Sequence, residues 1–194
     1  MKKVFFITAM VTGSLMLKAQ THVELGLKGG LNVATLSVSN NSNIDPRISA
    51  YLGGLAHIHI SKEFAVQPEV FFSGQGAKST VSNVVNKANL NYIQVPVLLQ
   101  YLIGTGFRLE TGPQVGFLAS ARQKAGNVTV DVKNSYKKTD FAWVFGAGYL
   151  TSTGVGFDAR YNLGLSKINN DNGPKVSNRV FSVGVFYQFK ALKH

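Results

Sequence analysis

The stretch Val23-Glu24-Leu25-Gly26-Leu27-Lys28-Gly29-Gly30-Leu31-Asn32-Val33 decides how this chain folds. Its odd positions are apolar or glycine; its even positions, Glu24, Gly26, Lys28, Gly30 and Asn32, are charged, polar or glycine. Successive side chains of a strand point to opposite faces, so such a segment meets hydrocarbon on one side and a polar interior on the other. The same two-residue period recurs in about eight segments: near 22–35, 48–60, 64–75, 90–102, 107–120, 140–150, 155–165 and beyond Asn178. The reading is all-β, an eight-stranded antiparallel transmembrane β-barrel.

The connections support it. Polar segments at 37–47, 76–89, 121–139 and 166–178 alternate with short turns at 61–63, 103–106 and 151–154. Outer-membrane barrels show this asymmetry, with long loops outside and short turns in the periplasm. A soluble, lipocalin-like barrel would turn its apolar face inward around a ligand. Aromatic residues near the strand ends, among them Phe64, Tyr101, Phe107, Tyr161, Tyr187 and Phe189, favour girdles at the two lipid interfaces instead.

The first residues address the chain to that membrane. Met1-Lys2-Lys3, the uncharged run Val4–Leu17 and the small Ala19 have the form of a cleaved secretory signal. Fourteen residues are short for a spanning helix, which needs about 20. The domains are therefore a signal peptide at 1–19 and the barrel at 20–194, placed in the cell outer membrane. Removing the signal takes away three basic residues and no acid, lowering the net charge from +11 to +8. The sequence holds no cysteine, which excludes disulfides and thiolate chemistry.

Four segments carry a family resemblance. Gln67-Pro68-Glu69-Val70-Phe71-Phe72-Ser73-Gly74-Gln75-Gly76-Ala77-Lys78, Asn91-Tyr92-Ile93-Gln94-Val95-Pro96, Thr111-Gly112-Pro113-Gln114-Val115-Gly116 and Arg160-Tyr161-Asn162-Leu163-Gly164-Leu165 resemble the PorT-like outer-membrane β-barrel family. The resemblance implies an OmpA/OmpX-sized eight-stranded barrel. It implies no particular activity, although the member that names the family belongs to a protein-secretion and gliding apparatus.

The inward face carries Glu24, Lys28, Glu69, Arg108, Glu110, Asp140, Asp158 and Arg160. A charge in a narrow interior must be paired or hydrogen-bonded, because burying it alone is costly. Glu69, Arg108, Glu110, Asp140, Asp158 and Arg160 are accordingly expected to form a lumen charge network, with Arg108 and Arg160 each beside a carboxylate. The functional counterpart of that structural reading is an ion gate or proton path. Eight strands leave an interior that side chains fill, so general diffusion is not expected.

His57 and His59 share the inward face, with His22 and Glu24 starting the neighbouring strand; this spacing could ligate a transition metal, but hydrogen bonding is the simpler account, and no metal or cofactor is assigned. Ser49, Ser73 or Ser182 with a histidine and Asp158 could suggest a hydrolase, but no nucleophile elbow surrounds any of them, so no catalytic residue and no enzyme is expected. Gly26, Gly29 and Gly30 lack the lysine-serine ending and the helix of a phosphate loop, and read as close wall packing. Arg122, Lys124, Lys133, Lys137 and Lys138 make the segment 121–139 basic, and Val128–Val132 alternates like a hairpin strand above the membrane.

An exported chain does not meet nucleic acid, so the basic balance points to outer-membrane lipid and lipopolysaccharide, with other envelope proteins as further partners. A structural or surface-interaction role without catalysis follows, with a gated small channel or a subunit of a secretion or transport assembly as the alternative.

Overall fold

The computed structural model describes residues 22–38, 45–81 and 84–189. The expected signal at 1–19 lies outside them, as do residues 39–44 of the first long connection. The strands are β1 (Val23–Val38), β2 (Asp45–His59), β3 (Phe64–Val81), β4 (Val84–Ile103), β5 (Phe107–Ala125), β6 (Val128–Asp131), β7 (Thr139–Leu150), β8 (Val155–Gly164) and β9 (Val176–Gln188). Every ladder is antiparallel. β4 pairs with β5, β5 with β7, and β9 returns to β1, so eight strands close a ring. Closure leaves no edge whose backbone groups would face lipid unpaired. Among the described residues no helix is long and apolar enough to cross a membrane; the crossing elements are strands.

The period of two assigns the faces. Leu25, Leu52, Phe72, Leu99, Phe145 and Phe157 project outward and are exposed, while Lys28, Gln67, Gln94, Gln100 and Gln114 project inward and are buried. On β4 the outward apolar run extends from Ile103 to Ile93, followed by Asn91, Asn89 and Lys87. Ten rises at the usual strand tilt cover about 25 Å, the height of an outer-membrane hydrocarbon band.

The short turns at 61–63, 104–106 and 151–154 lie together at one end, and the long connections at the other. Two of those long segments are not loops. β3 and β4 continue as a ladder from Gly76–Asn89 up to Val81–Val84, and β5 runs on to Ala125 and folds back as β6. Polar side chains above the bilayer hide the strand signal because neither face there is lipid, yet the backbone pairing persists. One irregularity between Asn91 and Tyr92 accommodates the extra residue Ala119 of β5, so that Leu118 and Ala121 both face inward.

Large side chains fill the interior where glycine makes room. A Cβ on Gly184 would stand 2.0 Å from the Tyr51 hydroxyl, and one on Gly156 would stand 2.1 Å from the Phe186 ring. Gly26 and Gly30 likewise leave no space for a Cβ, at 2.6 Å from the Tyr187 carbonyl and 2.1 Å from the Val183 carbonyl.

Candidate functional site

Midway along the lumen, Arg160 of β8 meets carboxylates from two other strands. Its Nη1 lies 2.5 Å from Glu69 Oε2 and its Nη2 donates to Glu69 Oε1 at 2.8 Å. Its Nε and Nη2 donate to the two oxygens of Glu110, the second at 3.1 Å. Asp158 stands 3.7 Å from the same guanidinium and pairs with Lys28, whose Nζ is also 3.9 Å from Glu69. Gln67 donates to Glu69 at 2.7 Å and Gln100 to Glu110 at 2.8 Å. All five charged side chains are almost completely buried. Arg160, Glu69 and Glu110 each find the several charge-assisted contacts that make such burial tolerable, whereas Lys28 and Asp158 rely on their ion pairs, with Lys28 Nζ and Asp158 Oδ1 lacking a hydrogen-bond partner among the described residues.

Two residues expected in this group stand apart from it. Arg108, 4% exposed, forms no ion pair within 4 Å among the described residues; it lies over the Phe186 ring at 5.3 Å and reaches Gln188 Oε1 at 3.4 Å. Glu110, two residues away on the same strand, is engaged by Arg160 instead. Asp140 sits higher, where Ser166 donates to it at 2.6 Å and Asn178 at 2.7 Å. Lys28 takes a place in the charge cluster that the assignment of Glu69, Arg108, Glu110, Asp140, Asp158 and Arg160 had not given it.

The hydrolase grouping does not assemble. Ser182 donates to Asn32 Oδ1, Ser73 accepts from Asn32 Nδ2, and Ser49 donates to the Gly74 carbonyl. His57 instead contacts Gln67 at 3.2 Å, at the short-turn end, with its ring edge-on to His59. His22 lies 3.3 Å from Glu24. Among the described residues no three such side chains converge to hold a metal ion.

The other mouth is capped. Ile168, Leu90, Tyr92, Leu118 and Ala121 form a buried apolar cluster, with Leu36, Val132, Tyr136 and Val176 packed against it. Backbone bonds from Lys137 to Ile168 at 2.7 Å and from Asn170 to Ser135 at 3.0 Å join the two long outer segments. An apolar residue inside a polar loop carries no period, which is why sequence reasoning missed Ile168.

Outside the barrel wall, above the apolar band, the register aligns Lys78 of β3 with Lys87 of β4, and Lys87 with Lys124 of β5. Arg122 stands one position nearer the membrane on the same face, opposite Asn89. The register also sets Asp45 of β2 opposite Lys78 and Asp131 of β6 opposite Arg122, so the Lys87–Lys124 pair is the part of the group with no acid opposite it. Lys133, Lys167 and Lys175 donate to backbone carbonyls, whereas these four cations have no side-chain partner among the described residues.

A closed eight-stranded ring with a lipid-facing apolar band, a filled polar lumen and polar hairpins above the band defines an integral outer-membrane β-barrel protein. The chain matches the outer membrane protein beta-barrel domain family over residues 18–170 and belongs to that family. No curated protein matches it in sequence. Among solved structures it is similar to Ail, the attachment invasion locus protein of Yersinia pestis, at 15% identity over 87% of this chain and 99% of that one, with a TM-score of 0.53. Ail in complex with the heparin analogue sucrose octasulfate gives 0.55 at 15% identity and the same coverage. Neisserial surface protein A gives 0.56 at 16% identity over 85% of this chain and 97% of that one. At these identities the likeness is one of fold.

Proposed function

We propose that this protein is an outer-membrane surface barrel whose basic outer wall binds the anionic groups of surface glycolipid, lipopolysaccharide above all. The observation that carries this reading is the row Lys78–Lys87–Lys124 with Arg122 beside it. Like charges directly opposite one another on a sheet destabilise it, and an oxyanion lying across them removes that penalty. The row faces sideways just above the hydrocarbon band, where phosphates of outer-leaflet glycolipid reside. That Ail, a barrel of similar fold, has been crystallised with a heparin analogue fits a polyanion-binding surface on such a scaffold.

In this reading residues 1–19 are a cleaved export signal, the long-connection end faces outside, and the chain is a PorT-like barrel, a reading supported by its resemblance to that family in the motifs quoted above. The protein has no catalytic task. The cluster of Lys28, Glu69, Glu110, Asp158 and Arg160 ties the wall together and, with the Ile168 cap, keeps the lumen closed.

The test is binding of the folded barrel, in neutral detergent, to lipopolysaccharide and to the same glycolipid stripped of its phosphates. Binding should require the phosphates, weaken with salt and fall in a Lys78→Ala/Lys87→Ala/Lys124→Ala variant. Equal binding to both glycolipids, or by both proteins, would sink the reading.

A further inference from the structure

At the short-turn end, which faces the periplasm in outer-membrane barrels, a cavity of about 240 Å³ opens between Glu24, His57, His59, Lys62, Arg108, Gln188 and the turn Gly104–Gly106. Its inner wall presents a buried cation, Arg108, that has no ion pair within 4 Å among the described residues, although Glu110, Glu24 and Asp158 act on it at longer range. Among the described residues Arg108 Nε is buried without a hydrogen-bond partner, and the one hydrogen bond of the guanidinium is a long one to the neutral Gln188. The nearby acids are engaged elsewhere: Glu110 by Arg160 and Gln100, Asp158 by Lys28 and Arg160, and Glu24 by Gln188 Nε2 and His22. Lys62 adds a second positive charge at the rim, and it too has no side-chain partner among the described residues.

We propose that this cavity is a binding site for a small oxyanion, the carboxylate or phosphate end of a periplasmic solute, with Arg108 as its principal ligand and Lys62 at its entrance. A buried guanidinium gains most from a charged acceptor that matches its planar fork, and among the described residues no carboxylate stands within 4 Å of Arg108. The Phe186 ring holds the guanidinium from one side, and Gly156, which has no Cβ, gives the ring its space. Arg108 is thus positioned before any ligand arrives, which spares the ligand the entropy of ordering it. The cavity volume admits an oxyanion with a few attached atoms and excludes a polymer. This site is independent of the outer lysine row, which lies on the opposite side of the apolar band.

The experiment is a nuclear magnetic resonance titration of the full-length barrel in neutral detergent, at constant ionic strength, with acetate, with inorganic phosphate and with acetamide as the uncharged isostere of acetate. The amides of Gly104, Thr105 and Gly106 and the ring protons of His57 and His59 should shift saturably with at least one anion and not with acetamide. The acetate and phosphate arms distinguish a carboxylate from a phosphate ligand. Arg108→Gln should weaken binding about tenfold or more, and Lys62→Ala should weaken it less. If Arg108→Gln fails to fold, the contrast between anion and acetamide on the unaltered protein still decides. No saturable shift with either anion, equal shifts with acetamide, unchanged binding by Arg108→Gln, or shifts centred on Lys87 and Lys124 would overturn the assignment.

Discussion

Arg160 on β8 grips Glu69 on β3 across the whole width of the barrel. The two strands lie four steps apart in either direction around the eight-stranded ring, so the pair spans a diameter. A contact of this kind resists lateral separation of the walls, and it depends on both partners because each is buried.

Removing one partner should therefore cost more than removing the charge altogether. Arg160→Met leaves Glu69 and Glu110 without their principal cation and should lower unfolding stability by about 3–5 kcal/mol. Adding Glu69→Gln and Glu110→Gln should restore part of it. Urea unfolding in lipid vesicles measures both, and equal losses in the single and triple variants would count against a mutually dependent cluster.

Tyr51 tests interior packing. Its hydroxyl is buried without a partner and stands where a Cβ on Gly184 would go. Gly184→Ala should destabilise the barrel by about 1–3 kcal/mol through overpacking, whereas Tyr51→Phe alone should be close to neutral. The double variant should recover part of the Gly184→Ala loss, as read from the same unfolding curves; a purely additive loss would mean that the two side chains do not share the space.

The outer cap rests on Ile168. Truncation to alanine removes a fully buried aliphatic side chain and should cost the cap about 2–5 kcal/mol, the usual range for such a change in a core. Because the cap sits above the lipid-embedded strands, the expected signature is local: faster proteolysis within 166–175, with heat-modifiable migration of the barrel on a detergent gel unchanged. Loss of that migration would show that the cap and the barrel fold as one unit.

Orientation is accessible because the chain has no cysteine. Asn127→Cys and Asn172→Cys, both exposed at the long-connection end, should react with a membrane-impermeant label on intact cells. Thr105→Cys at the opposite end should react only after permeabilisation, and the reverse pattern would invert the topology.

Sequence alone determined which side of the wall most strand residues face. Leu25, Leu52, Leu99 and Phe157 could be assigned to lipid, and Lys28, Glu69, Glu110 and Arg160 to the lumen, because the strand period is two and lipid tolerates only one kind of side chain. It also indicated eight crossings and the three short turns. It could not set the height of one strand against the next, because the period says nothing about register. Register decides neighbours. It brings Lys78, Lys87 and Lys124, far apart in the chain, into one row, and it leaves Arg108 over Phe186 while Arg160 takes both glutamates. Closure of the ring decides the rest, since only β9 returning to β1 makes β3 and β8 opposite walls of one lumen.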